Sequence, residues 1–90
     1  MYKLKVVSKF SAAHRLIDYP GACERIHGHN WTVKVTVSAQ DVDDSGMVMD
    51  LVQLKKHIDD CVAQFDHRVI NDVPPFDQLN PTSENLAKYL

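Results

Sequence analysis

Two long runs of apolar–polar alternation constrain this chain more than anything else in it. From Tyr2 to Ala13, Tyr2, Leu4, Val6, Phe10 and Ala12 share one parity, and Lys3, Lys5 and Lys9 share the other. From His27 to Ala39, Trp31, Val33, Val35, Val37 and Ala39 alternate with Thr32, Lys34, Thr36 and Ser38. Successive side chains of an extended strand point to opposite faces, so each run predicts a strand with one covered and one wet face. A two-stranded sheet is marginal in water. The chain is therefore expected either to oligomerise through its sheet edges or to be a fragment.

The histidines follow the same parity. His14 is in phase with the apolar set of the first strand, and His27 and His29 with that of the second. All three are thus expected on the face that the rest of the domain covers. Residues i and i+2 of a strand share a face, so His27 and His29 can aim two imidazoles at one point. Gly28 between them is read as removing any steric objection to close approach. Three neutral imidazoles with an open position form the ligand set of a catalytic zinc. Cys23, four residues before His27, admits two roles. It can close a structural Cys-His₃ site, or stay free beside the metal as a low-pKa base or nucleophile.

Between and after the strands the pattern changes. Leu16 to Arg25 reads as a loop with a Tyr19-Pro20-Gly21 turn, and Gln40 to Gly46 as an acidic turn. Asp50 is a candidate helix N-cap with Gln53 as its capping-box partner. The helix that follows carries Leu51, Leu54, Ile58, Cys61, Val62 and Phe65 on one stripe, which predicts a buried Cys61 and a solvated His57. Asp66 to Asp77 reads as a loop with Pro74-Pro75, and a second helix begins near Asn80-Pro81-Thr82, with the proline in its first turn. Asp66-His67 is a second constellation. A carboxylate can orient an imidazole, and a turn can bring adjacent residues together. On spacing alone, though, a histidine serving the helix dipole is the simpler reading.

Composition narrows the classes. Ninety residues make one domain, residues 1–90. The net charge of −2 argues against nucleic acid. No apolar run approaches the roughly 20 residues of a membrane helix. The alternating N-terminus reads as a strand and not as a signal peptide. The expectation is a cytoplasmic protein with reduced thiols.

Several motifs occur in an order that resembles one family: Phe10-Ser11-Ala12-Ala13-His14, Cys23-x₃-His27-Gly28-His29-Asn30, Gly46-Met47-Val48-Met49-Asp50, Phe65-Asp66-His67 and Asn80-Pro81-Thr82-Ser83-Glu84-Asn85. The chain looks like the 6-pyruvoyltetrahydropterin and 6-carboxytetrahydropterin synthases. The three-residue gap between Cys23 and His27 is similar to the carboxy branch of the queuosine pathway; Trp31, usually tyrosine in the family, departs from the pattern.

The resemblance implies an α+β tunnelling fold (T-fold). In it an antiparallel sheet carries two helices on one face, and subunits join edge to edge into trimers or hexamers. It implies zinc on His14, His27 and His29, Cys23 as proton acceptor, and a relay through Asp66 and His67. It also implies a pterin triphosphate substrate, which Glu84 would help to hold. The family's C-terminal strand pair, with its pterin-anchoring glutamate, has no counterpart in these residues, which suggests a truncated or shortened relative. Outside lyase chemistry, a non-catalytic zinc module and a Cys-His hydrolase are the alternatives.

Overall fold

The two alternating runs form a single antiparallel ribbon. In the computed structural model, which describes residues 1–17 and 25–90, β1 spans Tyr2–His14 and β2 spans His27–Ala39. Tyr2 lies opposite Ala39, Phe10 opposite Trp31 and His14 opposite His27. The pairing is unbroken, so the parity read in the sequence holds along the whole ribbon. On β1 the covered face is Val6, Ser8, Phe10, Ala12 and His14, all buried, while Lys3, Lys5 and Lys9 are exposed. The expected loop between the strands, with its Tyr19-Pro20-Gly21 turn, falls largely on residues 18–24, outside the described residues.

Helix α1 (Leu51–Ala63) starts where expected. The Asp50 carboxylate accepts from the Val52 and Gln53 N–H groups at 2.9 and 3.4 Å, satisfying two of the first-turn donors that no helix can pair internally. The acidic turn before it closes on Asp43, whose carboxylate accepts from Ser45 and Met47 N–H. Gly46 there adopts φ +79°, a conformation open to glycine at little cost.

The buried face of α1 differs from the predicted stripe. Leu54 and Val62 are buried and Ile58 half-buried, but Leu51 and Cys61 are exposed. The cause is a polar contact. Buried Ser8 donates its hydroxyl to Asp59 Oδ1 at 2.5 Å, and Lys55 Nζ donates to the same oxygen at 2.8 Å. That bond turns the helix toward Asp59 and leaves Cys61, about 100° round the helix from Val62, on the solvent side. His57 is exposed, as expected.

Phe65 lies just past the α1 cap at Gln64 and is fully buried with Ile70 and Phe76. These three join Phe10, Ala12, Val62 and Leu86 in one core. The expected Asp66–Asp77 loop contains a 3-10 turn, Ile70–Asp72. Helix α2 (Ser83–Tyr89) adds Leu86 to the same core, so both helices lie on one face of the ribbon. Its N-cap is Thr82, whose hydroxyl accepts from Asn85 N–H at 3.1 Å. Pro81 therefore precedes the cap and does not sit in the first turn; its carbonyl serves a different purpose, described below. No helix among the described residues is long and apolar enough to cross a membrane.

Candidate metal centre

The ribbon register brings His14, His27 and His29 together at one end of the covered face. His14 pairs across the ladder with His27, and His29 with Ala12. Ring centroids are 4.7 Å apart for His14–His27, 5.3 Å for His14–His29 and 4.7 Å for His27–His29. One ligand nitrogen from each lies within 4.8 Å of the other two. Two nitrogens bound to one zinc can be no more than about 4.2 Å apart, so small ring rotations close the set. Cover is graded and not uniform: His14 is buried, His27 half-buried and His29 exposed.

Two backbone carbonyls select the tautomers. His14 Nδ1 lies 2.8 Å from the Pro81 carbonyl, and His27 Nδ1 lies 2.7 Å from the Arg25 carbonyl. A carbonyl only accepts, so each Nδ1 carries the proton and each Nε2 keeps a free lone pair. A hydrogen bond from the far ring nitrogen to a carbonyl is the usual outer support of a metal-ligating histidine. Burial holds the His14 ring below the ordinary imidazole pKa, against the raising effect of the Pro81 bond. The neighbouring His27 and His29 push it the same way as burial. The neutral form is the one that binds a metal. The donor set therefore fits a divalent cation that accepts imidazole nitrogen.

Trp31 forms the apolar wall. Its ring meets His14 edge-on at 4.9 Å and stacks on Phe10 at 5.9 Å, while its N–H donates to the Ala12 carbonyl at 3.2 Å. The pocket in front of the histidines, about 560 Å³, is also lined by Trp31, Asn80 and Glu84. That volume lies in the range of small-molecule sites. Glu84 is thus placed beside the triad. Gly28 has a plainer role than expected, because a Cβ there would meet nothing within 4 Å; close approach does not require it.

Asp66 and His67 stand together but apart from that pocket. His67 adopts φ 57°, and this turn points its Nδ1 at Asp66 Oδ2, 3.1 Å away. The other carboxylate oxygen accepts from Ser11 N–H at 3.0 Å, and His67 N–H donates to the Ser11 carbonyl at 2.6 Å. The Ser11 bond, followed by the His67 bond, holds the Asp66 carboxyl below its usual pKa. His67 lies beyond the α1 cap, so the helix-dipole reading does not apply. His67 lines a neighbouring groove that shares His29 and Asn30 with the triad's pocket. Cys23 lies outside the described residues. The Pro81 and Arg25 carbonyls were not foreseen, since a backbone acceptor has no sequence signature.

Comparison with known proteins gives this geometry its family. Residues 3–90 match the pattern described as 6-pyruvoyl tetrahydropterin synthase. The chain belongs to that family. A 6-carboxy-5,6,7,8-tetrahydropterin synthase of Bacillus subtilis is 37% identical over 92 residues, covering 97% of this chain and 61% of its own. A 6-pyruvoyl tetrahydrobiopterin synthase of Homo sapiens is 38% identical over 95 residues, covering 90% of this chain and 66% of its own. The chain thus spans less than two thirds of the length of these curated relatives. The solved 6-pyruvoyl tetrahydropterin synthase of Caenorhabditis elegans superposes with a TM-score of 0.87 at 37% identity, over 98% of this chain and 72% of that one. The α+β ribbon with two helices on one face is therefore the tunnelling fold, over the part of it that this chain spans.

Proposed function

We propose that this chain is a zinc-dependent lyase of the 6-carboxytetrahydropterin synthase type, acting in the cytoplasm in queuosine biosynthesis. The reaction takes 7,8-dihydroneopterin triphosphate and water to 6-carboxy-5,6,7,8-tetrahydropterin, acetaldehyde and triphosphate. The observation that carries this reading is the histidine triad, with two of its three Nδ1 atoms already engaged by carbonyls. His14, His27 and His29 would hold the zinc through Nε2. Bound there, zinc would supply Lewis acidity toward the substrate's side-chain hydroxyls.

The remaining work falls to the chain's own groups. Cys23, four residues before His27, is assigned the role of proton acceptor. His67 would carry protons, with Asp66 fixing its tautomer and orientation. In this reading His67 acts on substrate that extends past His29 and Asn30, which line both grooves. Glu84, on the pocket rim, would accept hydrogen bonds from the pterin. Trp31 excludes water from one side of His14. The assembly that would present this site is a trimer or hexamer joined at the sheet edges.

One finding favours a second reading. The human pyruvoyl-type relative is as similar as the carboxy-type one, 38% against 37%. A pyruvoyl-type enzyme eliminates triphosphate and leaves the side chain uncut. Mass spectrometry of the products from zinc-loaded protein and 7,8-dihydroneopterin triphosphate separates the two. 6-Carboxytetrahydropterin with acetaldehyde is expected. A pyruvoyl product would establish the second reading, and no turnover by a zinc-loaded chain would reduce it to a metal-binding module.

A further inference from the structure

Four successive odd-numbered residues on the outer edge of β1 and just beyond it are met by other groups. Ser11 is held by Asp66 and His67, and Ala13 N–H donates to the Arg68 carbonyl at 3.0 Å. Past the end of the strand, side chains replace backbone. Arg15 N–H donates to Asn71 Oδ1 at 2.9 Å, and Asn71 Nδ2 donates to the Arg15 carbonyl at 3.0 Å. Ile17 N–H donates to Asn80 Oδ1 at 2.8 Å, and Asn80 Nδ2 donates back to the Ile17 carbonyl at 3.3 Å. A carboxamide carries an acceptor and a donor side by side, as an adjoining strand would present them. Asn71 and Asn80 therefore stand where a further strand would pair.

These clamps lie against the metal centre. Arg15 follows His14 directly. Asn80 precedes Pro81, whose carbonyl engages His14 Nδ1, and its own carbonyl accepts from Asn85 Nδ2 at 2.9 Å and Thr82 N–H at 2.8 Å. One network thus joins the α2 N-terminus, the Pro81 carbonyl, the His14 ring and the backbone after His14. Asn71 and Asn80 both grip the backbone that follows His14, and Asn80 is also the residue before Pro81, the ring's carbonyl partner.

We propose that Asn71 and Asn80 are positioning residues of the histidine centre, fixing Arg15 and Ile17 so that the His14 ring and its carbonyl partner hold one arrangement. This rests on the reading of the triad as a metal site. The test uses the full chain and its Asn71→Ala and Asn80→Ala variants. Zinc affinity is read by competition with a chromophoric chelator, and folding of the metal-free proteins by circular dichroism. Zinc should bind roughly 10–100-fold more weakly to each variant, the usual cost of losing outer support at a metal site, with the metal-free fold retained. Affinity unchanged to within about twofold in the folded variants would overturn the proposal, since a purely stabilising staple would lower only the melting temperature.

If a variant does not fold, hydrogen exchange on the wild-type chain decides. Protected amides at Arg15 and Ile17 support the clamp, and exchange at the rate of an open loop overturns it. Wild-type protein that takes up no zinc would sink the metal reading and this one together. Zinc bound equally by wild type and variants would overturn this one alone.

Discussion

Asp66 shows how one carboxylate can serve the fold and also orient a neighbouring imidazole. It caps the outer edge of β1 through Ser11 N–H and orients His67. Its pKa lies below the ordinary 3.8, chiefly because of the Ser11 bond. The folded state therefore binds fewer protons than the unfolded state wherever pH lies near or between the two values. The resulting stability is fully present above the unfolded pKa and is lost as pH falls through the folded one. Asp59, lowered first by the Lys55 and then by the Ser8 hydrogen bond, adds in the same direction. Urea melts from pH 6 downward should thus show stability falling below about pH 4. Asp66→Asn, which keeps an acceptor for Ser11 N–H, should flatten that fall; an identical acid profile would remove Asp66 from this role. At this scale the triad was legible because strand parity is a strict rule. The Ser8–Asp59 bond was not: a serine in an apolar register gives no hint of its partner 51 residues away.

Among the elements, the strands were the easiest to read. Each alternating run became a strand to within one residue, and the antiparallel register kept all three histidines in phase. Helix α1 was legible at its start, where Asp50 caps it, but not in its rotation, which a buried polar contact sets and which exposes Cys61. Phe65 also belongs to the turn after the helix, although its spacing matched the helical stripe. Two substitutions separate these contributions. Phe65→Ala should cost about 3–5 kcal/mol, as removal of a fully buried aromatic does. Asp50→Ala should cost about 1 kcal/mol, the usual value of an N-cap. Denaturant unfolding of both variants checks the order; a cap loss exceeding the core loss would mean that α1, and not the Phe65 turn, holds the ribbon to its helices.

At the scale of the molecule, the sheet is short of strands. Among the described residues β2 pairs only with β1, and its other edge presents free N–H and C=O groups along Trp31 to Ala39. Such an edge is a template for another strand, and a two-stranded sheet gains most from one. Sedimentation of the chain should therefore show self-association, with a trimer or hexamer as the closed product; a monomer at every concentration would contradict it. This level was only partly legible, because alternation reports how a strand's faces are used and says nothing of what meets its edges.

The central claim is that the ribbon register builds a metal centre from His14, His27 and His29. Zinc content after equilibrium dialysis, measured by mass spectrometry on the wild-type chain and on His14→Ala, His27→Ala and His29→Ala, tests it most directly. Trp31 fluorescence provides a second readout, since the indole lies 4.9 Å from His14 and 5.5 Å from His29. The account predicts about one zinc per wild-type chain, a change in Trp31 emission on binding, and loss of both in each variant that remains folded. A wild-type chain that takes up no zinc, or folded variants that hold it as tightly as wild type, would contradict it.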